Sequence, residues 1–241
     1  MSHNPKTLII VPALNEEASI ARVVANLRQQ VPWADLLVTN DGSTDDTGRI
    51  AEAAGAIVLH MPYNVGIGAS VQAGFQFADL QGYEVVVRND GDGQHDPAEI
   101  NRMLAALAAD QADIVIGSRY LQNMGYVGTP MRRLGSLILA NLISTIIRQR
   151  VTDPTSGFIV CNRRAIQLCA RVYPHDYPEP ESIVLLHRAG LRLLELPVAM
   201  KPRMGGQSSI TVLRSGYYML KVILAILVGL LRPAPALDLL S

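Results

Sequence analysis

Between Thr7 and Gly117 short apolar runs alternate with amphipathic segments five times, and this alternation limits the fold more than anything else in the 241-residue chain. The runs TLIIV, DLLVT, AIVLH, YEVVV and DIVIG read as buried strands, because four to six apolar, β-branched-rich residues bounded by turn formers suit a strand covered on both faces. The segments between them read as helices. In NEEASIARVVANLRQQ, for example, Ile20, Val23, Val24 and Leu27 fall on one face, with Glu16 and Glu17 at the positive end of the dipole. Gly55 closes the second helix, and Asp96 caps a fourth that begins at Pro97. Such alternation predicts an α/β chain with a doubly wound, mostly parallel sheet and helices on both faces. Ligands of these sheets sit outside the carboxyl ends of the strands.

Those ends carry PALNEE, NDGSTDD and NDGDGQHD, so acids and turn formers collect on one rim. The fourth-strand loop, RNDGDGQHDP, has two readings. It is an acidic turn built by its glycines, or a divalent-cation site in which Asp90, Asp92 and the Gln94 amide supply hard oxygen donors, as Mg²⁺ or Mn²⁺ requires. A calcium EF-hand is excluded, because its sixth position is His95 and its twelfth Asn101. NVGIGASVQAG lacks the third glycine of a dinucleotide fingerprint; P-loop, G-x-S-x-G and H-E-x-x-H patterns are absent.

Lysine plus arginine equals aspartate plus glutamate, 21 each, so no global field attracts nucleic acid, and a nucleic-acid partner is not expected. Mean hydropathy of +0.20 indicates an apolar surface somewhere. Cys161 and Cys169, eight apart in what reads as a helix, lack metal or redox spacing and read as packing residues. The N-terminus does not read as a signal peptide, so a cytoplasmic location is expected.

Beyond Ser118 the pattern predicts a helix through SLILANLISTIIRQ, a strand at the end of DPTSGFIV, a helix RRAIQLCARV, a proline-rich turn YPHDYPEPE, a helix SIVLLHRAG and a strand LRLLELPVAM. Near the C-terminus the uncharged run Val222 to Leu231 covers only about 15 Å as a helix, half of a bilayer core of about 30 Å. Arg214, Lys221 and Arg232 are spaced 7 and 11 apart, which at about 100° per residue places them within roughly 20° of one line. A basic stripe on an apolar helix fits an element lying at a membrane surface, with packing on the domain or on a partner subunit as the alternative. The organisation expected is a catalytic domain over 1–212, an amphipathic membrane-surface helix over 213–233 and a tail over 234–241.

Taken in order, VPALNEE, NDGSTDDT, DGDGQHDP, GSRY, RRLGS, DPTSGF and PRMGGQSS resemble the motifs of family 2 glycosyltransferases with the GT-A fold, nearest to dolichyl- or polyprenyl-phosphate sugar transferases. The resemblance runs from about Thr7 to Ser209. It implies an inverting enzyme with a nucleotide-sugar donor, a lipid-phosphate acceptor and a Mg²⁺ or Mn²⁺ cofactor on Asp90, Asp92 and Gln94. Pro12, Leu14 and Glu16 match the stretch lining the nucleotide base. Asp41 matches the second acid of a usual DDGS, whose first acid is Asn40 here. Arg203, Gly206 and Ser208 resemble a loop closing over the donor phosphates, while Arg119, Arg132 and Ser136 resemble the residues that receive an acceptor phosphate. An ionised lipid phosphate needs positive charge to position it and no base. A sugar hydroxyl would need a carboxylate base, for which Asp153, Glu179 and Glu181 are candidates, although Asp153 also fits a turn cap. Arg119, Arg132 and Arg133 also fit solvated surface charges, and His95 and His187 are assigned no chemistry. The expected setting is peripheral, on the cytoplasmic membrane face, with lipid or a small membrane protein beside the C-terminal helix. Transfer to a sugar hydroxyl of a polysaccharide or lipid-linked glycan, and a non-catalytic nucleotide-sugar-binding subunit, are the alternatives.

Overall fold

In a computed structural model of the chain, residues 5–122, 130–200 and 212–235 are described, without the side chains of residues 130–132 and 212–218. Strands β1 (Thr7–Ala13), β2 (Asp35–Asn40), β3 (Ile57–His60), β4 (Val85–Arg88), β5 (Ile114–Ser118), β6 (Ile159–Cys161) and β7 (Leu193–Pro197) form one sheet in the order β3-β2-β1-β4-β6-β5-β7. Between and around them run α1 (Ile20–Gln30), α2 (Thr47–Ala53), α3 (Ile67–Leu80), α4 (Ala98–Ala108), α5 (Pro130–Ile147), α6 (Arg163–Arg171), α7 (Pro178–Arg188) and α8 (Val212–Leu231).

The expected mostly parallel sheet is present, with one departure. β6 inserts antiparallel between β4 and β5, pairing Arg88 with Ile159 on one side and Ile116 with Ile159 on the other. Three residues are too few for periodicity to give the strand's direction, yet they let Phe158, which precedes the strand, and Val160 face one core while Ile159 and Cys161 face the other. The same alternation in β1 sends Leu8 and Ile10 toward Phe75 of α3, and Ile9 and Val11 toward Val24 of α1 and Met103 of α4. Every strand of the sheet centre is thus covered on both faces, as its uninterrupted apolar sequence requires.

Several boundaries differ from the sequence reading. Helix α1 starts at Ile20, because Asn15 sits in the left-handed region at φ 54° and residues 16–19 form a turn. Cys161 lies in β6 and only Cys169 lies in a helix; both are free and buried, and burial pushes the Cys161 thiol up to about 12. The YPHDYPEPE segment is not all turn. Pro178 opens α7 as a first-turn residue whose missing N–H has no intrahelical partner to lose, and Glu179 and Glu181 fall in that first turn. The last strand is confined to Leu193–Pro197.

Helix α8 is neither a free membrane helix nor a wholly packed one. Val222 and Ile226 are buried in the core shared with α7, and Arg188 caps its last turn, donating to the carbonyls of Gly229 and Arg232 at 2.7 Å each. Leu220, Leu224, Leu227, Val228 and Leu231 remain exposed on the other side. Among the described residues no helix is long and apolar enough to cross a membrane.

The start of β5 is pinned by Asp113, which accepts from the Arg192 backbone at 2.8 Å, from Asn162 at 2.8 Å and from Arg164 at 3.2 Å. Burial raises its carboxyl, but these donors outweigh it and hold the group below its ordinary 3.8. That stabilisation is present at neutral pH and is lost as pH falls through the lowered native value. Asp113→Asn should therefore cost about 1–3 kcal/mol at pH 7, with the gap to wild type in denaturant unfolding closing in acid below about pH 4.

Candidate active site

The rim at the carboxyl ends of β1, β2 and β4 is built by short loops that bond to one another. Thr44 donates its N–H to Asn15 Oδ1 at 2.9 Å, and Glu16 donates its N–H to Thr47 Oγ1 at 2.8 Å. The Ser19 hydroxyl lies 2.7 Å from the Glu16 carboxylate and 3.0 Å from the Gly91 carbonyl, tying the first loop to the fourth. Asp41 accepts from Val65 N–H at 2.7 Å and Gly66 N–H at 3.1 Å, so its carboxylate fixes the entry to α3. Asn40 is occupied locally too, its Oδ1 accepting from Ser43 N–H and its amide nitrogen facing His60 Nδ1, each at 3.2 Å. Pro12 is buried under the rim, while Leu14 is exposed on it.

The Asp90–Gln94 turn lies directly over the end of β1. A Cβ on Gly91 would come within 3.0 Å of the Pro12 carbonyl, and Gly93 has φ 74°, so both glycines serve the turn geometry. Asp92 Oδ1 accepts from Gln94 N–H at 3.0 Å. His95 is buried, stacked on Phe158 with centroids 4.7 Å apart, and accepts the Asp90 N–H on Nδ1 at 3.2 Å. It shapes the loop, in keeping with its lack of any partner spacing in the sequence. Burial pushes the Asp90 carboxyl up, but Arg88, His95 and Arg119 together hold it below the usual carboxylate range. Its side chain is 32% exposed, with Oδ1 3.4 Å from Arg88 Nη2 and Oδ2 3.7 Å from His95 Nε2.

No group of three His, Cys, Asp or Glu side chains among the described residues makes a closed metal cage. The donor set of Asp90, Asp92 and Gln94 fits the other kind of site, in which one or two carboxylates anchor Mg²⁺ or Mn²⁺ and water and phosphate oxygens fill the remaining positions.

Two of the sequence-predicted residues meet in a way their spacing did not announce. Asp153 is fully buried and takes a two-pronged ion pair from Arg119, Nε and Nη2 each at 2.6 Å, and also accepts the Arg119 N–H at 3.0 Å. The loop carrying Asp153 is held by Glu195 of β7, which accepts from the backbone of Thr152 and Asp153 at 2.8 and 2.9 Å. Desolvation raises the Glu195 carboxyl. Ser136 is buried in α5 with no hydrogen-bond partner for its hydroxyl among the described residues. Arg132 belongs to α5 but its side chain is outside the described residues, as are Arg203, Gly206 and Ser208 altogether.

Arg88 is a further charged residue of this site. This last residue of β4 is 3% exposed, with Nη2 at 2.6 Å from Glu179 and 3.4 Å from Asp90, and Nη1 at 3.4 Å from the Tyr173 hydroxyl. The available signal was a charge closing the apolar run VVV just before the acidic turn. Gly157 borders this cluster: a Cβ there would lie 2.9 Å from both Asp90 oxygens and 3.0 Å from Arg88 Nη2.

A family model described as Glycosyl transferase family 2 matches residues 8–168. The chain is 33% identical over 215 residues to an undecaprenyl-phosphate mannosyltransferase of Micrococcus luteus, covering 86% of this chain and 88% of that one. It is 34% identical over 169 residues to a polyprenol monophosphomannose synthase of Mycolicibacterium smegmatis, covering 67% of this chain and 63% of that protein's length. Its fold matches the crystal structure of a glucosyl-3-phosphoglycerate synthase from Mycobacterium tuberculosis in complex with Mn²⁺, uridine diphosphate and glucosyl-3-phosphoglycerate. The TM-score is 0.72 at 21% identity, over 94% of this chain and 80% of that one.

Replacing Asp153 by Asn would leave the Arg119 fork without its counter-charge, at a cost of about 3–5 kcal/mol in denaturant unfolding. A carboxylate present only to move a proton would lose little stability on that change.

Proposed function

Given that this chain belongs to glycosyl transferase family 2, an enzyme family here drawing on a nucleotide-sugar donor, we propose that it is an inverting, cation-dependent transferase whose acceptor is a polyprenyl-phosphate-like lipid. The observation that carries this reading is the pairing of two of the three candidate bases. Asp153 is locked to Arg119 and Glu179 to Arg88, so neither is a loose carboxylate ready to take a proton from a sugar hydroxyl. An ionised phosphate acceptor needs no such base. The named activities of the two bacterial relatives agree with that acceptor class.

In this reading Asp90, Asp92 and Gln94 would hold a divalent cation, which would supply positive charge to offset that of the departing diphosphate. Pro12, Leu14 and Glu16 line the base, and Asp41 acts at one remove by fixing the Val65–Gly66 backbone. Arg119, oriented by Asp153 and with its field already felt at Asp90, places positive charge where acceptor and donor phosphates meet. Ser136, Arg132 and the Arg203, Gly206 and Ser208 loop complete the phosphate contacts by resemblance. The displacement is single, with inversion at the anomeric carbon. A hydroxyl acceptor remains the second reading because of Glu181, whose carboxyl is raised by burial and then by Asp176, as suits a base.

The exposed leucines of α8, with Leu134, Leu137 and Ile138 exposed on α5, give the enzyme an apolar face. The two helices approach where Met219 lies 3.6 Å from a Cβ placed on Gly135. At about 100° per residue Lys221 and Arg232 run along one edge of the leucine stripe, so the face suits the surface of an anionic bilayer and a peripheral position beside a lipid-borne acceptor.

Two experiments test this. Asp92→Ala should lower sugar transfer to polyprenyl phosphate at least about a hundredfold with metal present; wild-type product carrying an alkali-stable, hydroxyl-linked sugar would favour the second reading. Leu224→Ser with Leu227→Ser should weaken sedimentation with anionic vesicles about tenfold, as expected for removing two half-exposed leucines from a lipid contact, without lowering thermal stability.

A further inference from the structure

Arg88 is a single cation placed between two carboxylates, and its contacts with them are unequal. The same Nη2 stands 2.6 Å from Glu179 Oε1 and 3.4 Å from Asp90 Oδ1. Glu179 is fixed where it stands: it lies in the first turn of α7, between the buried Pro178 and Pro180, at the helix end that favours negative charge. Asp90 is fixed from behind as well, because the Gly157 backbone leaves room for its oxygens and for nothing larger. The guanidinium therefore answers to two competing acids in a place of low dielectric, where an ion pair is strong and a competing cation is correspondingly disfavoured.

We propose that Glu179 is a positioning residue for the donor site: by engaging Arg88 it keeps that guanidinium from closing on Asp90, and so leaves the Asp90 carboxylate available to the divalent cation. This rests on the cation-dependent reading above and gives Glu179 a role other than that of a base. Without the Glu179 charge, Nη2 has one carboxylate left to satisfy it among the described residues, and the oxygen it would take is one the cation needs. Removing both charges together should restore the availability of Asp90, because the competitor disappears with its restraint.

The test is Mn²⁺ affinity, read from the electron-paramagnetic-resonance signal of the free ion, for the full chain with UDP and with GDP in parallel. Glu179→Gln should weaken Mn²⁺ binding about tenfold, the scale seen when groups orienting metal ligands are removed. The double variant Arg88→Met with Glu179→Gln should return to within about twofold of wild type, a coupling expected of residues in direct contact. A merely structural role would leave the double variant no better than the single one. Unweakened binding in Glu179→Gln, or a double variant as weak as the single, overturns this inference alone. Absence of Mn²⁺ binding by the wild type overturns the cation reading and the inference with it.

Discussion

Burying a guanidinium at the end of a central strand is costly unless it is paired, and Arg88 is the charge around which this site is organised. Its pairing requires an acid from α7 and leaves a weaker hold on the acid of the turn. Those requirements fix other parts of the fold. Helix α7 must begin where Glu179 can reach β4, which Pro178 arranges. The loop ahead of β6 must carry a glycine at position 157, and Tyr173 brings its hydroxyl to Nη1, while Nε has no hydrogen-bond partner among the described residues. The antiparallel β6 is what carries that loop to β4.

Much of this was legible in the sequence where the physics is local. The five apolar runs, the acidic rim and the turn at Asp90–Gln94 follow from periodicity and turn chemistry, and the structure brings PALNEE, NDGST and NDGDG together as expected. What was not legible depends on long-range pairing. Nothing near Asp153 in the sequence predicts that Arg119, 34 residues earlier, takes both of its oxygens. Nor does YPEPE reveal that Glu179 meets Arg88, 91 residues away. The end of DPTSGFIV suggests a strand, but three residues carry no sign of the antiparallel insertion of β6.

Helix α8 shows the same limit. Its basic stripe is a property of spacing alone, whereas the division into a buried side at Val222 and Ile226 and an exposed leucine side depends on where α7 packs. The helix is thus part of the domain core and an apolar surface at once.

The central claim is that the Asp90–Gln94 turn holds a cation that in turn holds the donor diphosphate. A crystal grown with Mn²⁺ and a nucleoside diphosphate, with data collected at the manganese edge, tests it most directly. The expected result is an anomalous peak about 2.0–2.3 Å from carboxylate oxygens of the Asp90–Asp92 pair and from oxygens of the diphosphate. A diphosphate bound on this rim with the manganese elsewhere, or with no manganese at all, would contradict it.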